Sequence, residues 1–172
     1  MPSPKPVALV VGASRGIGRQ IALDLARNDY AVVVAAKSVT TAASGSAPAP
    51  DPNSPASTIT TVAREIASAG GDATAIPVDV RSEQSVADLV AKTISTYHRL
   101  DVLIYNPGAI FWASVADTPL RRFQLMQHVN PEGLYAVVQA ALPHLGRRGG
   151  RIVVVSPPIY SRFFRGKTAY AM

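Results

Sequence analysis

The 172-residue chain is 48% hydrophobic and 16% charged, the composition of a globular domain with a buried core and not of a disordered segment. It has no cysteine, so disulfides and thiolate metal sites are excluded, and His98, His128 and His144 are far apart and outside any metal-ligand pattern, so no metal site is expected. The net charge of +6 is scattered or locally paired (Arg121-Arg122, Arg147-Arg148, Arg162 with Arg165 and Lys167) with no basic helical stripe, so no nucleic-acid partner is expected and an anionic cofactor or acidic substrate is a sufficient use for it.

Strand-like and helix-like patterns alternate along the chain. Val7–Val11 is a continuous apolar run, as a parallel strand covered on both faces requires. It is too short for a signal peptide, and no run reaches the roughly 18 apolar residues of a membrane span, so the chain reads as soluble. After a glycine turn, Ile17, Ile21 and Leu25 fall at helical spacing through about Arg27. Ala31–Ala36 is a second buried strand. Residues 38–57 are rich in Ser, Ala and Pro without periodicity and read as a flexible insertion, either a passive linker or a lid beside the expected ligand site. A helix over 59–69 is stopped by Gly70-Gly71, and a third strand follows at Ala73–Val78. A helix runs from Ser82 to about Tyr97, a fourth strand covers Asp101–Tyr105, and a long helical stretch covers about 119–145, reshaped by Pro131 near Asn130. Arg151–Ser156 is a fifth strand. Five strands alternating with helices predict one Rossmann-type α/β domain, a doubly wound parallel sheet between two helical layers, with ligands beyond the carboxyl ends of the strands.

The turn after the first strand, Gly12-Ala13-Ser14-Arg15-Gly16-Ile17-Gly18, has the form G-x-x-x-G-x-G and opens an amphipathic helix. Glycines there allow a tight turn and a close approach of backbone N–H groups to a pyrophosphate at the positive end of the helix. This form, with Arg15 before the second glycine, resembles the short-chain dehydrogenase/reductase family, and the resemblance extends over essentially the whole chain. It implies that Asp79 and Val80, after the third strand, hold the adenine, with the Asp79 carboxylate taking the adenine amino group. Tyr105-Asn106-Pro107-Gly108-Ala109 stands where the family has Asn-Asn-Ala-Gly, so Asn106 and Gly108 match and the family's first, sheet-stabilising asparagine is replaced. Val129-Asn130-Pro131-Glu132-Gly133 resembles the segment that carries the active-site asparagine. Within the family, Ala35-Ala36-Lys37, Val78-Asp79-Val80-Arg81, Asp117-Thr118-Pro119, Val129-Asn130 and Ser156-Pro157-Pro158 together look like the hydroxysteroid dehydrogenase-like protein 2 branch. That branch is associated with peroxisomes and mitochondria, and the sequence does not distinguish these from the cytoplasm.

The cofactor class follows from charge. An NAD(H) site places an acid at the end of the second strand for the ribose 2′-hydroxyl. Here the positions are Ala35, Ala36, Lys37 and Ser38, and Lys37 with Arg15 would instead attract the 2′-phosphate of NADP(H).

The resemblance also implies a catalytic set: Tyr170 as proton donor or acceptor, Ser156 as the hydroxyl that bonds the carbonyl oxygen, and Asn130 as the residue ordering a water in the proton relay. It places the tyrosine's partner lysine at position 174, beyond Met172, together with the family's closing strands, dimer helix and substrate loop. The chain therefore reads as the N-terminal part of a longer, homo-oligomeric enzyme acting on a small-molecule carbonyl or alcohol, with an exposed hydrophobic sheet edge. The alternative is a dinucleotide-binding module without catalysis.

Overall fold

In the computed structural model, residues 4–39, 57–145, 149–157 and 166–172 are described. The elements run β1 (Val7–Val11), α1 (Gly16–Arg27), β2 (Ala31–Ala36), α2 (Ile59–Ser68), β3 (Asp72–Pro77), α3 (Glu83–Tyr97), β4 (Val102–Tyr105), α4 (Leu120–Gln127), α5 (Gly133–Leu145), β5 (Arg151–Val154) and α6 (Thr168–Ala171), with a π-helical turn at His128–Glu132 joining α4 to α5. The strands form one parallel sheet in the order β3-β2-β1-β4-β5. The chain winds outward on one side of β1 and then returns to the other side. The switch point expected of a doubly wound sheet therefore lies between the carboxyl ends of β1 and β4.

Alternation along β1 divides the core. Val7, Leu9 and Val11 join Val86, Leu89 and Val90 of α3 and Val137 and Ala141 of α5 on one face. Ala8 and Val10 join Ala22 and Leu23 of α1 and Ile59, Val62 and Ile66 of α2 on the other. Every residue of β1 is fully buried, the burial that its unbroken apolar sequence foretells.

Local chemistry sets the element ends. Thr58 caps α2 in a reciprocal box with Thr61, and the Ser82 hydroxyl accepts from the Ser85 N–H at the start of α3. Gly70, at φ +81°, takes the left-handed conformation that ends the α2 region. At 128–132 the missing N–H of Pro131 breaks the regular ladder, and the chain passes through a wider turn without leaving the helix.

Four strand boundaries depart from expectation. β3 lies one residue earlier at both ends, at Asp72–Pro77, and β4 begins at Val102. β5 ends at Val154, so Ser156 stands beyond the strand. The expected insertion at 38–57 lies outside the described residues except at its ends. There the Ile59 N–H donates to the Ser38 carbonyl, and the buried Ser57 hydroxyl donates to the Ser14 carbonyl. Among the described residues no helix is long and apolar enough to cross a membrane.

Candidate functional site

The switch point opens into a cleft of about 530 Å³ over the carboxyl ends of β1, β2 and β4. Gly12, Ser14 and Arg15 come to it from the glycine loop, Lys37 and Ser38 from the end of β2, Asp79, Val80 and Arg81 from the end of β3, and Asn106 and Gly108 from the end of β4. Eight of the expected cofactor residues thus face one space. A second cleft of about 600 Å³ lies at the opposite ends of the strands, against Pro6, His98, Asp101 and His144, away from the glycine loop.

The loop is built by close contacts that only glycine permits. Gly12 has φ +80°, and a Cβ on it would sit 2.7 Å from the Pro107 nitrogen. A Cβ on Gly18 would run into the Gly12 carbonyl and come within 2.7 Å of the Asn106 amide nitrogen. The Gly12 N–H donates to the Ala35 carbonyl at 2.7 Å, and Asn106 Nδ2 donates to the Gly12 carbonyl at 3.0 Å, so the turn is tied to both neighbouring strands. Gly16 and Gly18 lie in the first turn of α1 and, like the exposed Ile17, do not line the cleft.

Arg15 occupies the N-cap of α1 without a side-chain capping bond, and the first turn contains no acid. Among the described residues nothing caps the first N–H groups of α1, and its positive end suits an anion such as the pyrophosphate of a dinucleotide.

Electrostatically the cleft is dominated by one carboxylate with two cations. Asp79 receives Nε–H and Nη2–H of Arg81 at 2.8 and 2.6 Å, and Lys37 Nζ lies 3.1 Å away. The Arg81 bonds, followed by Lys37, outweigh partial desolvation and hold the Asp79 carboxyl far below the usual carboxylate range.

The Asn130 side chain is spent on structure. Its Oδ1 accepts from the Ala109 N–H at 2.8 Å and its Nδ2 donates to the Ala109 carbonyl at 3.1 Å, which docks the π-helical turn onto the β4 loop. Tyr105, standing at the replaced asparagine position, makes a second tie: its hydroxyl donates to the Val129 carbonyl, and burial pushes its pKa well above the ordinary tyrosine value.

Ser156 and Tyr170 do not line this cleft. Ser156 is exposed and its hydroxyl donates to the Pro157 carbonyl at 2.9 Å, while Tyr170 is half-buried on α6, which packs near α4. Sequence reasoning passed over Arg81, Ser57 and the Tyr105 hydroxyl as site-building groups. For Arg81 the available signal was a guanidinium two residues beyond an acid. The other two contacts join residues far apart in sequence.

Residues 12–172 match the family model described as enoyl-(acyl carrier protein) reductase. The chain is 38% identical over 151 residues to hydroxysteroid dehydrogenase-like protein 2 of Homo sapiens, covering 87% of this chain and 34% of that protein. Among solved structures it resembles a short chain dehydrogenase from Mycobacterium thermoresistibile, with 36% identity, a TM-score of 0.80 and coverage of 97% of this chain and 57% of the other. It also resembles an alcohol dehydrogenase from the archaeon Thermococcus sibiricus, solved in complex with 5-hydroxy-NADP, with 26% identity, a TM-score of 0.82 and coverage of 96% and 64%. The chain thus spans about a third of that curated relative and less than two thirds of these solved chains. With the glycine loop, the parallel sheet and these matches in agreement, the chain belongs to the short-chain dehydrogenase/reductase family.

Proposed function

We propose that this chain is the cofactor-binding part of an NADP(H)-dependent oxidoreductase that interconverts a small-molecule carbonyl and its alcohol. The observation that carries the cofactor preference is that Lys37 and Arg15 face the cleft of the glycine loop, while Ala35-Ala36-Lys37-Ser38 offers no acid to a ribose 2′-hydroxyl. Gly12, Ser14, Arg15 and the first turn of α1, with Gly16, Ile17 and Gly18, would hold the pyrophosphate. Val80 with Asp79 would hold the adenine, and Asn106 with Gly108 would line the path toward the nicotinamide.

When bound, the nicotinamide supplies or accepts the hydride. The chain's own residues handle the proton and the oxygen. The Tyr170 hydroxyl would donate its proton to the carbonyl oxygen during reduction and take one back during oxidation. Ser156 would turn its hydroxyl from the Pro157 carbonyl to the substrate oxygen, where a donor stabilises developing negative charge. Asn130, held by its two bonds to Ala109, would keep the π-helical turn in place beside the proton path.

A second reading, a dinucleotide-binding module without turnover, is favoured by the position of Ser156 and Tyr170 outside the cleft. Binding and turnover measured separately divide the two. NADPH titrated against NADH should bind more tightly, and NADPH oxidation should be followed with a panel of aldehydes and diketones. On the enzymatic reading Tyr170→Phe lowers turnover by about a hundredfold or more while NADPH affinity stays nearly unchanged. Tight NADPH binding with no turnover on any carbonyl establishes the module instead, and equal affinity for NADH removes the NADP(H) assignment.

A further inference from the structure

The Asp79 carboxylate has every acceptor position taken. Its Oδ1 accepts from the Arg81 backbone N–H at 3.2 Å and from Arg81 Nε–H at 2.8 Å, and its Oδ2 accepts from Arg81 Nη2–H at 2.6 Å and faces Lys37 Nζ at 3.1 Å. A carboxylate offers about four such positions, so an adenine amino group can reach Asp79 only if one partner leaves. Arg81 is held by three bonds within one turn of chain, two of them the planar fork that a guanidinium makes with a carboxylate. Among the described residues Lys37 makes one ion pair, with Asp79, from the end of a long, 65% exposed side chain. Lys37 is the partner that leaves most easily.

We propose that Arg81 is a specificity-determining positioning residue: by keeping Asp79 compensated, it frees Lys37 to move to the 2′-phosphate of NADP(H). The inference rests on the NADP(H) reading above and adds to it how the cleft tells the two cofactors apart. Among the described residues lining the cleft, the charged groups are Arg15, Lys37 and Arg81 against Asp79. That surplus of two positive charges matches a phosphomonoester of about −1.5 to −2 at neutral pH. Without Arg81, Lys37 and Asp79 would neutralise one another, and drawing Lys37 away would leave a bare carboxylate beside the incoming phosphate. With Arg81 present, the exchange is balanced: the adenine amino group takes the place of Lys37 on Asp79, and Lys37 gains the phosphate. NAD(H) offers Lys37 no new partner, so its binding depends little on Arg81.

The test is a double-mutant cycle on the 172-residue chain, titrating NADPH and NADH against wild type, Arg81→Gln, Asp79→Asn and the double variant. Arg81→Gln should weaken NADPH by about tenfold and NADH by less than about twofold, since the variant returns Lys37 to a closed pair with Asp79. In the Asp79→Asn background the same change should shift NADPH by less than about twofold, because no carboxylate is left to occupy. A tenfold loss that persists in the Asp79→Asn background would mean that Arg81 grips the phosphate directly, and would overturn the proposal. So would an NADPH/NADH ratio untouched by Arg81→Gln. If Arg81→Gln does not fold, Arg81→Lys serves: it retains the charge but not the fork, and should lower the ratio only in the presence of Asp79. A wild-type chain that binds neither dinucleotide, or both equally, fails the underlying reading and the proposal together. A wild type that prefers NADPH but ignores Arg81 fails the proposal alone.

Discussion

The strands β1 and β5 read alike as short, apolar, β-branched runs, yet they occupy opposite environments. All five residues of β1 are fully buried, whereas Ile152, Val153 and Val154 of β5 are 40%, 46% and 42% exposed. A strand's sequence reports what it is able to bury. Its neighbours decide what it does bury. β1 has strands on both sides and a helical layer on each face, while β5 pairs only with β4 among the described residues. An exposed apolar edge of this kind is a template for further strand pairing. The centre of the sheet therefore carries both the stability and the cleft.

That contrast can be broken most directly at its two extremes. Leu9→Ala removes a fully buried side chain from the middle of β1 and should cost about 2–5 kcal/mol. Val153→Thr on β5 should stay within about 0.5 kcal/mol. Urea unfolding of the two variants gives the comparison, and equal costs would mean that β5 is as well packed as β1. Next in size is Gly18→Val, which drives a side chain into the Gly12 carbonyl and the Asn106 amide. It should destabilise by about 1–3 kcal/mol and remove dinucleotide binding, both readable by calorimetry. Retained binding would reduce the glycine loop to a turn.

Charge at the centre should matter less for folding than for ligand choice. Lys37→Asp leaves an exposed side chain's packing almost unchanged but places an acid at the end of β2, and it should reverse the NADPH/NADH preference by about tenfold or more, equivalent to about 1.4 kcal/mol. An unchanged ratio would move the 2′-phosphate site elsewhere. Smallest is Tyr105→Phe, which deletes the bond to the Val129 carbonyl for about 1 kcal/mol. Because burial raises the Tyr105 pKa, its contribution is fully present below the unfolded-state value of about 10 and is lost as pH rises through the folded value. The alkaline loss of stability should therefore be shallower in the Phe variant. Tyr97, whose pKa is also raised chiefly by burial, keeps part of that loss in both proteins.

These contrasts also mark how far the sequence could be read. The β1 run, the G-x-x-x-G-x-G turn and the helix from Gly16 were legible because each rests on local chemistry: apolar continuity, glycine spacing and helical period. The reshaping at Pro131 was legible for the same reason, since a missing N–H acts on its own helix. The true end of β5 was not, because it depends on pairing with β4, whose register stops at Tyr105 against Val154. The saturation of Asp79 was hidden for another reason. An adenine-binding acid and an ion-paired acid have the same letters, and only the fold brings Lys37, from the far side of residues 40–56, to within 3.1 Å. Tyr105 looked like the loss of a stabilising asparagine, whereas its hydroxyl reaches across to Val129 and supplies a tie of its own.

The joined ends of residues 38–57 have a consequence in polymer terms. Because the Ser38 carbonyl is bonded to the Ile59 N–H and Ser57 is anchored on Ser14, the two chain ends are brought together by the scaffold itself. The entropy of closing a loop grows only with the logarithm of its length, so doubling the segment between such ends adds about 0.6 kcal/mol. A change in the length of the segment between Ser38 and Ser57, at the rim of the glycine-loop cleft, should therefore cost little stability while β2, α2 and the glycine loop keep their places.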